Sequence, residues 1–314
     1  MSALDALHAI PHLPAAPILG HTLHFLRDPY GLHARSRTRL GDVYKISLLG
    51  EWRVTLGGAD ALEFILGDRD HLFSSKGGWD VLHGLFPGGL MLRDFDDHRA
   101  HRRTLQTAFR RPVLDGYRDA MAEAMDQLIA RWPLNIPFAF YPAIKQLTLQ
   151  MGAQVFMGLP LDDPRAGMLN AAFSAEVAAS IAPIRRPLPG TKMRRGLRAR
   201  ATLRAVFGQM IPERRAHPGT DFFSHMCVAQ HADGAQWTDD DIVDHFNFLL
   251  MAAHDTTAST LTKIAWALAA HPSWQARIAR EVAALGDAPL DAAALDALSD
   301  TDLLFREALR RLPP

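Results

Sequence analysis

The chain has 314 residues, 48% apolar and 22% charged, with 34 basic and 34 acidic side chains and a formal net charge of zero. Such a composition excludes intrinsic disorder and collagen-like repeats, allows a large buried core, and gives no overall electrostatic pull toward nucleic acid. The single cysteine, Cys227, excludes an intramolecular disulfide framework and any multi-cysteine zinc or iron–sulfur site.

Residues 1–17 contain no long apolar run and carry Asp5, His8 and His12, unlike a secretory signal or a membrane span. The longest apolar stretches, such as 248–253, are too short to cross a bilayer, so no transmembrane anchor is expected and the chain reads as cytoplasmic. Prolines make 11–20 an extended arm. Asp28-Pro29 opens a helix that runs to about Leu40 and stops at Gly41-Asp42. Val43, Tyr44, Ile46 and Leu48, then Trp52, Val54 and Leu56 around Gly50-Glu51, predict a hairpin. Ala59 to Leu66 reads as a short helix. Residues 70–97 read as a loop that is unusually apolar, through Trp79, Leu82, Leu85 and Phe86, and is expected to fold over something.

From Asp97 onward the pattern is helical. Helices are expected near 97–109, 113–131, 137–157, 164–180, 192–211, 219–231, 239–270, 272–285, 291–296 and 300–311, punctuated by prolines that include Pro212. The arginine-rich stretch 183–217 reads as a solvated helix face, with a local anionic or membrane-surface contact as the alternative. The fold class expected is therefore mainly α, with a small N-terminal β-hairpin: a β-rich subregion at 1–70 and a helical subregion at 97–314, in one domain.

Three segments carry chemistry. The helix at 239–270 has Thr238 as its cap and Asp239, Asp240 and Asp241 on its positive end. At about 1.5 Å per residue it spans about 45 Å and must cross the core. In its middle, Ala252-Ala253-His254-Asp255-Thr256-Thr257 places small residues beside an acid and two hydroxyls. A flat ligand could approach the backbone at Ala252 and Ala253, and Thr256 can bond back to the carbonyl of Ala252. Asp255 and Thr256 suit a proton relay in an apolar cavity; alternatively they satisfy each other without chemistry. His254 and Asp255 could also ligate a metal, although no dense histidine box accompanies them.

The second segment, Asp97-His98-Arg99-Ala100-His101-Arg102-Arg103, puts His98 and Arg102 on one helix face, where they could grip a carboxylate. A solvated helix start is the plainer alternative. His98 and His101 show no carboxylate partner that would make them metal ligands. In the third segment, Glu307 and Arg310 share a face and could brace an incoming loop if buried; otherwise they are an exposed pair.

Together these segments resemble the cytochrome P450 family. Glu307-Ala308-Leu309-Arg310-Arg311-Leu312-Pro313-Pro314 is similar to the family's Glu-x-x-Arg segment, and Ala252 to Thr257 to its oxygen-activation motif, with Ala253 where glycine is usual. His98-x-x-x-Arg102 is similar to its haem-propionate contact. The resemblance implies haem b, a hydrophobic small-molecule substrate, dioxygen, and an electron donor of ferredoxin, flavodoxin or reductase type. It implies that Asp255 and Thr256 deliver protons, that His98, Arg102, Ala252 and Ala253 line the cofactor, and that Glu307 and Arg310 support the haem loop. Trp79, Leu82 and Phe86 would line the substrate pocket. The family's cysteine loop does not occur before Pro314, and Cys227 reads as a small core residue. The 314 residues are therefore expected to retain haem weakly and to lack oxygenase activity. The alternatives are a non-catalytic remnant of such an enzyme binding an apolar ligand or partner, and a helical metal-dependent hydrolase using His254 and Asp255.

Overall fold

A computed structural model of the chain describes residues 7–160, 163–231, 234–286 and 290–314. It divides into two compact units, 1–74 and 75–314.

In the first unit, α1 (Thr22–Arg27) and α2 (Pro29–Leu40) precede a two-stranded sheet. Asp28 caps α2 by accepting from the backbone N–H of Gly31 at 2.8 Å, and proline at the first helical position needs no such partner. Strands β1 (Val43–Leu48) and β2 (Glu51–Leu56) pair antiparallel with Val43 opposite Leu56 and Leu48 opposite Glu51. Their two-residue turn, Leu49-Gly50, has positive φ at both positions (52° and 87°), the sense that matches strand twist. β1 buries Tyr44, Lys45, Ile46 and Ser47, whereas β2 stays largely exposed. Helix α3 (Ala59–Gly67) follows. Helix α1 follows the extended arm of 11–20, in residues for which no element was expected.

The second unit is helical. Residues 75–92 hold only single turns, at Ser75–Gly78, Asp80–Leu82 and Leu90–Leu92. The long elements are α4 (Phe95–Leu105), α5 (Arg111–Ile129), α6 (Phe140–Met157), α7 (Pro164–Ser180) and α8 (Lys192–Ala216). They are followed by α9 (Phe222–Val228), α10 (Asp239–Ala270), α11 (Pro272–Ala283), α12 (Ala292–Ala297) and α13 (Ser299–Arg311). Helix α10 buries Ile242, Val243, Phe246, Leu250 and Ala258. Phe246 meets Phe223 and Phe207 edge-on, with ring centroids 4.8 and 5.0 Å apart, a favoured arrangement. Thr238 caps α10 by accepting from Asp241 N–H at 3.1 Å.

Two expectations are corrected here. Pro212 does not end α8, which continues to Ala216. The last turn is held from outside: Arg214 donates to the Met157 carbonyl at 3.0 Å, and Arg215 to the carbonyls of Cys227 and Trp237 and to Asp239. These contacts offset the hydrogen bond the proline removes. The arginines of 183–217 are also not simply a solvated face. Arg200 pairs with Asp244 at 3.3 Å, Arg204 with Asp240 and Arg215 with Asp239, so they clamp the acidic first turns of α10. Arg185 donates to the carbonyls of Val81, Ala179 and Ser180, tying the 75–92 segment to α7.

Candidate functional site

The middle of α10 is helical without interruption. Ala252 and Ala253 are half-buried and Thr256 is exposed, because the helix turns that stripe away from its packed face. Thr256 Oγ1 donates to the Ala252 carbonyl at 2.6 Å, the local bond its spacing allows. Asp255 lies on a neighbouring face. Its carboxylate is 2.7 Å from Lys145 Nζ on α6 and 3.3 Å from His254 Nδ1. The His254 imidazole and the Lys145 ammonium hold its pKa down at about 2, against the opposing effect of partial burial. His254 is buried, and its Nε2 donates to the Lys145 carbonyl at 3.2 Å.

A cavity of about 230 Å3 lies between α10 and α4. Its walls include Phe248, Leu249 and Ala252 on α10, with Arg102 and Leu105 on α4 and Phe109 just after it. His98 stands one turn before Arg102 on α4. The side chains of His98 and Arg102 make no hydrogen bond or ion pair among the described residues. A guanidinium left free at the edge of an apolar cavity is suited to an anionic group on an apolar ligand.

The other residues singled out from sequence are spread more widely. Glu307 and Arg310 form a bidentate pair on α13, both bonds 2.7 Å, with side chains 51% and 71% exposed. Trp79 is half-exposed and Leu82 is buried. Phe86 is fully buried in a cluster with Leu85, Ala179, Met193 and Phe248. Cys227 is buried beside Phe222, Phe223 and Met226, and burial pushes its thiol up to about 12. It is a core residue held as the neutral thiol. His254 and Asp255 gather no third metal-ligating side chain among the described residues. A lysine ammonium sits at the carboxylate instead, which removes the basis for the hydrolase alternative.

One cluster was missed. His101 on α4 meets Asp241 and His245 on α10, so it has the carboxylate neighbour that its sequence context did not show. Arg93 joins them, donating to Asp97, Asp241 and His101. The signal available was spacing: Asp97/His101 and Asp241/His245 are both i,i+4 pairs in helices, each offering an acid and an imidazole on one face.

A family model for the cytochrome P450 matches residues 11–314. The chain belongs to the cytochrome P450 family. It is 39% identical over 303 residues to the protein named cytochrome P450 136 of Mycobacterium tuberculosis, covering 95% of this chain and 61% of that one. It is 29% identical over 316 residues to the pentalenene oxygenase of Streptomyces avermitilis, covering 96% of this chain and 68% of the relative. Abscisic acid 8'-hydroxylase 3 of Oryza sativa is 29% identical over 306 residues, with 94% and 60% covered. Among solved structures, retinoic acid bound cyanobacterial CYP120A1 superposes with a TM-score of 0.83 at 25% identity, covering 98% of this chain and 70% of that one. The chain spans about 61% of the length of the first of these relatives.

Haem is the cofactor of this P450 family, and the residues present fit one face of it. The apolar walls of the cavity, the free guanidinium of Arg102 and the small Ala252 suit a flat apolar ring carrying carboxylates, whereas Ala253 lines a separate cavity with Thr257 and Phe173. Cys227, sealed in the core, does not fit the role of iron ligand. No helix among the described residues is long and apolar enough to cross a membrane.

Proposed function

We propose that these residues form part of a haem-dependent monooxygenase that hydroxylates a hydrophobic small molecule, with dioxygen as oxidant and electrons from a ferredoxin, flavodoxin or reductase partner in the cytoplasm. The observation that carries this reading is Arg102 facing Ala252 across one apolar cavity, in a chain of this family. When bound, haem with a thiolate ligand supplies the oxygen-activating chemistry. Cys227, the single cysteine of these 314 residues, is sealed in the core and has no part in this reading.

The chain's own residues then have the following work. Arg102 and His98 hold carboxylate on the cofactor's edge. Ala252 leaves room against the helix backbone. Thr256 Oγ1 turns from the Ala252 carbonyl to donate a proton into the site. Asp255, ionised and pinned by Lys145, swings from the lysine, takes up a proton from solvent and passes it on to Thr256. Glu307 and Arg310 brace the loop carrying the thiolate. Trp79 and Leu82 shape the apolar roof, with Phe86 packed beside Leu85 and Phe248 in the core cluster as support. The names of the relatives, with abscisic acid, pentalenene and retinoic acid among them, favour a terpenoid- or retinoid-like substrate.

The test is the whole protein, purified and reduced under carbon monoxide. The red-shifted Soret band of a thiolate-ligated carbonyl is expected, and Thr256→Ala should keep that band while electron consumption uncouples from product. A whole protein that purifies without haem and shows no such band overturns the reading. The 314 residues alone should hold added haem more weakly and oxygenate nothing.

A further inference from the structure

Helix α10 borders two cavities, each on its own stripe of side chains. Phe248, Leu249 and Ala252 line the one that Arg102 shares. Leu250, Ala253, His254 and Thr257 recur at the spacing that puts residues on one helix face, and they line the other. This second cavity has a volume of about 130 Å3. Met121 on α5, Leu149 and Phe156 on α6, Phe173 on α7 and Leu203 on α8 continue its wall, so five helices bound it.

Small residues make the room. Gly152 on α6 presents no side chain to this wall. A Cβ there would meet only Phe156 Cδ2, at 3.7 Å, which is an ordinary contact, so the space beyond it is open. Ala253 is similarly short on α10. Thr257 is exposed, which leaves an entry from solvent on its side.

The chemistry of the wall selects its occupant. No carboxylate, ammonium or guanidinium lines it among the described residues. Its two buried polar side chains are already bonded: Thr148 Oγ1 donates to the Lys145 carbonyl at 3.0 Å and His254 Nε2 to the same carbonyl at 3.2 Å. An ion would find no countercharge here, and a water deep in the cavity would lack the several polar partners it needs. Met121, Met151 and Met157 add flexible, polarizable side chains that adapt to an apolar guest. Apolar cavities of about this size stay dry and take up benzene or xenon. A void of this kind opposes folding, so a molecule that fills it stabilises the folded chain.

We propose that this cavity is a binding site for a small uncharged apolar molecule of about the size of benzene, separate from the cavity of Arg102. The inference does not depend on the function proposed above.

The test uses benzene as the probe and benzoate as its charged control. Benzene at a tenfold excess over its Kd should raise the melting temperature of the 314-residue chain by about 2–3 °C. Gly152→Leu, which places a side chain in the cavity, should lose that rise. The parent chain labelled with 13C at its methionine methyls gives a second reading, which decides the matter if Gly152→Leu does not fold. Benzene should move the signals of Met121, Met151 and Met157 through its ring current and leave Met193, which packs in the cluster of Phe86, where it is. Benzoate at the same concentration should leave all three lining methyls unmoved. No stabilisation of the parent by benzene, equal stabilisation of the parent and Gly152→Leu, or shifts confined to methionines outside this wall overturns the inference. Benzoate moving the lining methyls as strongly as benzene overturns the assignment of an uncharged guest.

Discussion

Glu176 on α7 is fully buried, and both its carboxyl oxygens, at 2.9 and 3.0 Å, accept from Nδ2 of Asn247 on α10. Burial raises its pKa to about 8, against the lowering effects of Asn247 and Arg200. The unfolded chain ionises this group near 4.5, so between there and about 8 the folded state holds a proton the unfolded state has lost. Stability from Glu176 is therefore complete below pH 4.5 and falls by about 1.4 kcal/mol per pH unit until the folded carboxyl ionises. Glu176→Gln should remove this slope. Thermal melts at pH 5 and pH 8 should show the variant gaining on the parent by a few kcal/mol at the higher pH; parallel pH dependence in both would contradict the assignment. Nothing in the sequence around Glu176 announces its burial. The local pattern of α7 is weakly amphipathic, and the partner, Asn247, lies 71 positions away. Asp255 is the opposite case: an acid in an apolar helix is conspicuous in sequence, but the Lys145 that pins it is visible only in three dimensions.

Among the elements, α7 and α8 approach each other closely enough that Gly196 has no room for a side chain. A Cβ there would overlap the Ala179 Cβ and press on the Ala175 carbonyl at 3.3 Å. Gly196→Ala would be favoured by about 1 kcal/mol on helix propensity alone. Neither neighbour is flexible, so overpacking of about 1–3 kcal/mol or more should prevail. Urea unfolding is expected to show net destabilisation, and a midpoint at or above that of the parent would mean the helices can move apart freely. The ends of α7 and α10 follow from local chemistry: Asp163 and Thr238 cap, and Pro164 and the three aspartates occupy first turns. The end of α8 does not. Pro212 is a local stop signal, and it is overridden by Arg214 and Arg215 bonding to chain that is distant in sequence.

On the scale of the whole molecule, α10, α11 and α13 border a cleft of about 630 Å3 lined by Trp266, Trp274, Leu303, Leu304 and Leu312. Trp266 is 66% exposed and Leu303 54%. An apolar surface of this kind binds hydrophobic dyes and favours association. The 314-residue chain should enhance ANS fluorescence strongly and Trp266→Gln should reduce the enhancement; weak binding by the parent would mean this cleft is covered. Glu307 borders the same cleft, and the exposure of its pair with Arg310 leaves that pair little value by itself. Its value to the protein therefore depends on what packs against it.

Periodicity, caps and turn residues suffice for the mainly helical class, the hairpin and the 32-residue α10, because each depends on neighbours within a few positions. The order of three motifs along the chain suffices for the family. What only the tertiary structure decides is the set of partners. The pinning of Asp255 by Lys145, the arginine clamp on the start of α10, the burial of Phe86 and the Arg93–His101–His245 string each join segments far apart in sequence. Charge, protonation and tautomer at those positions are set by dielectric surroundings and hydrogen-bond direction, which exist only once the segments meet.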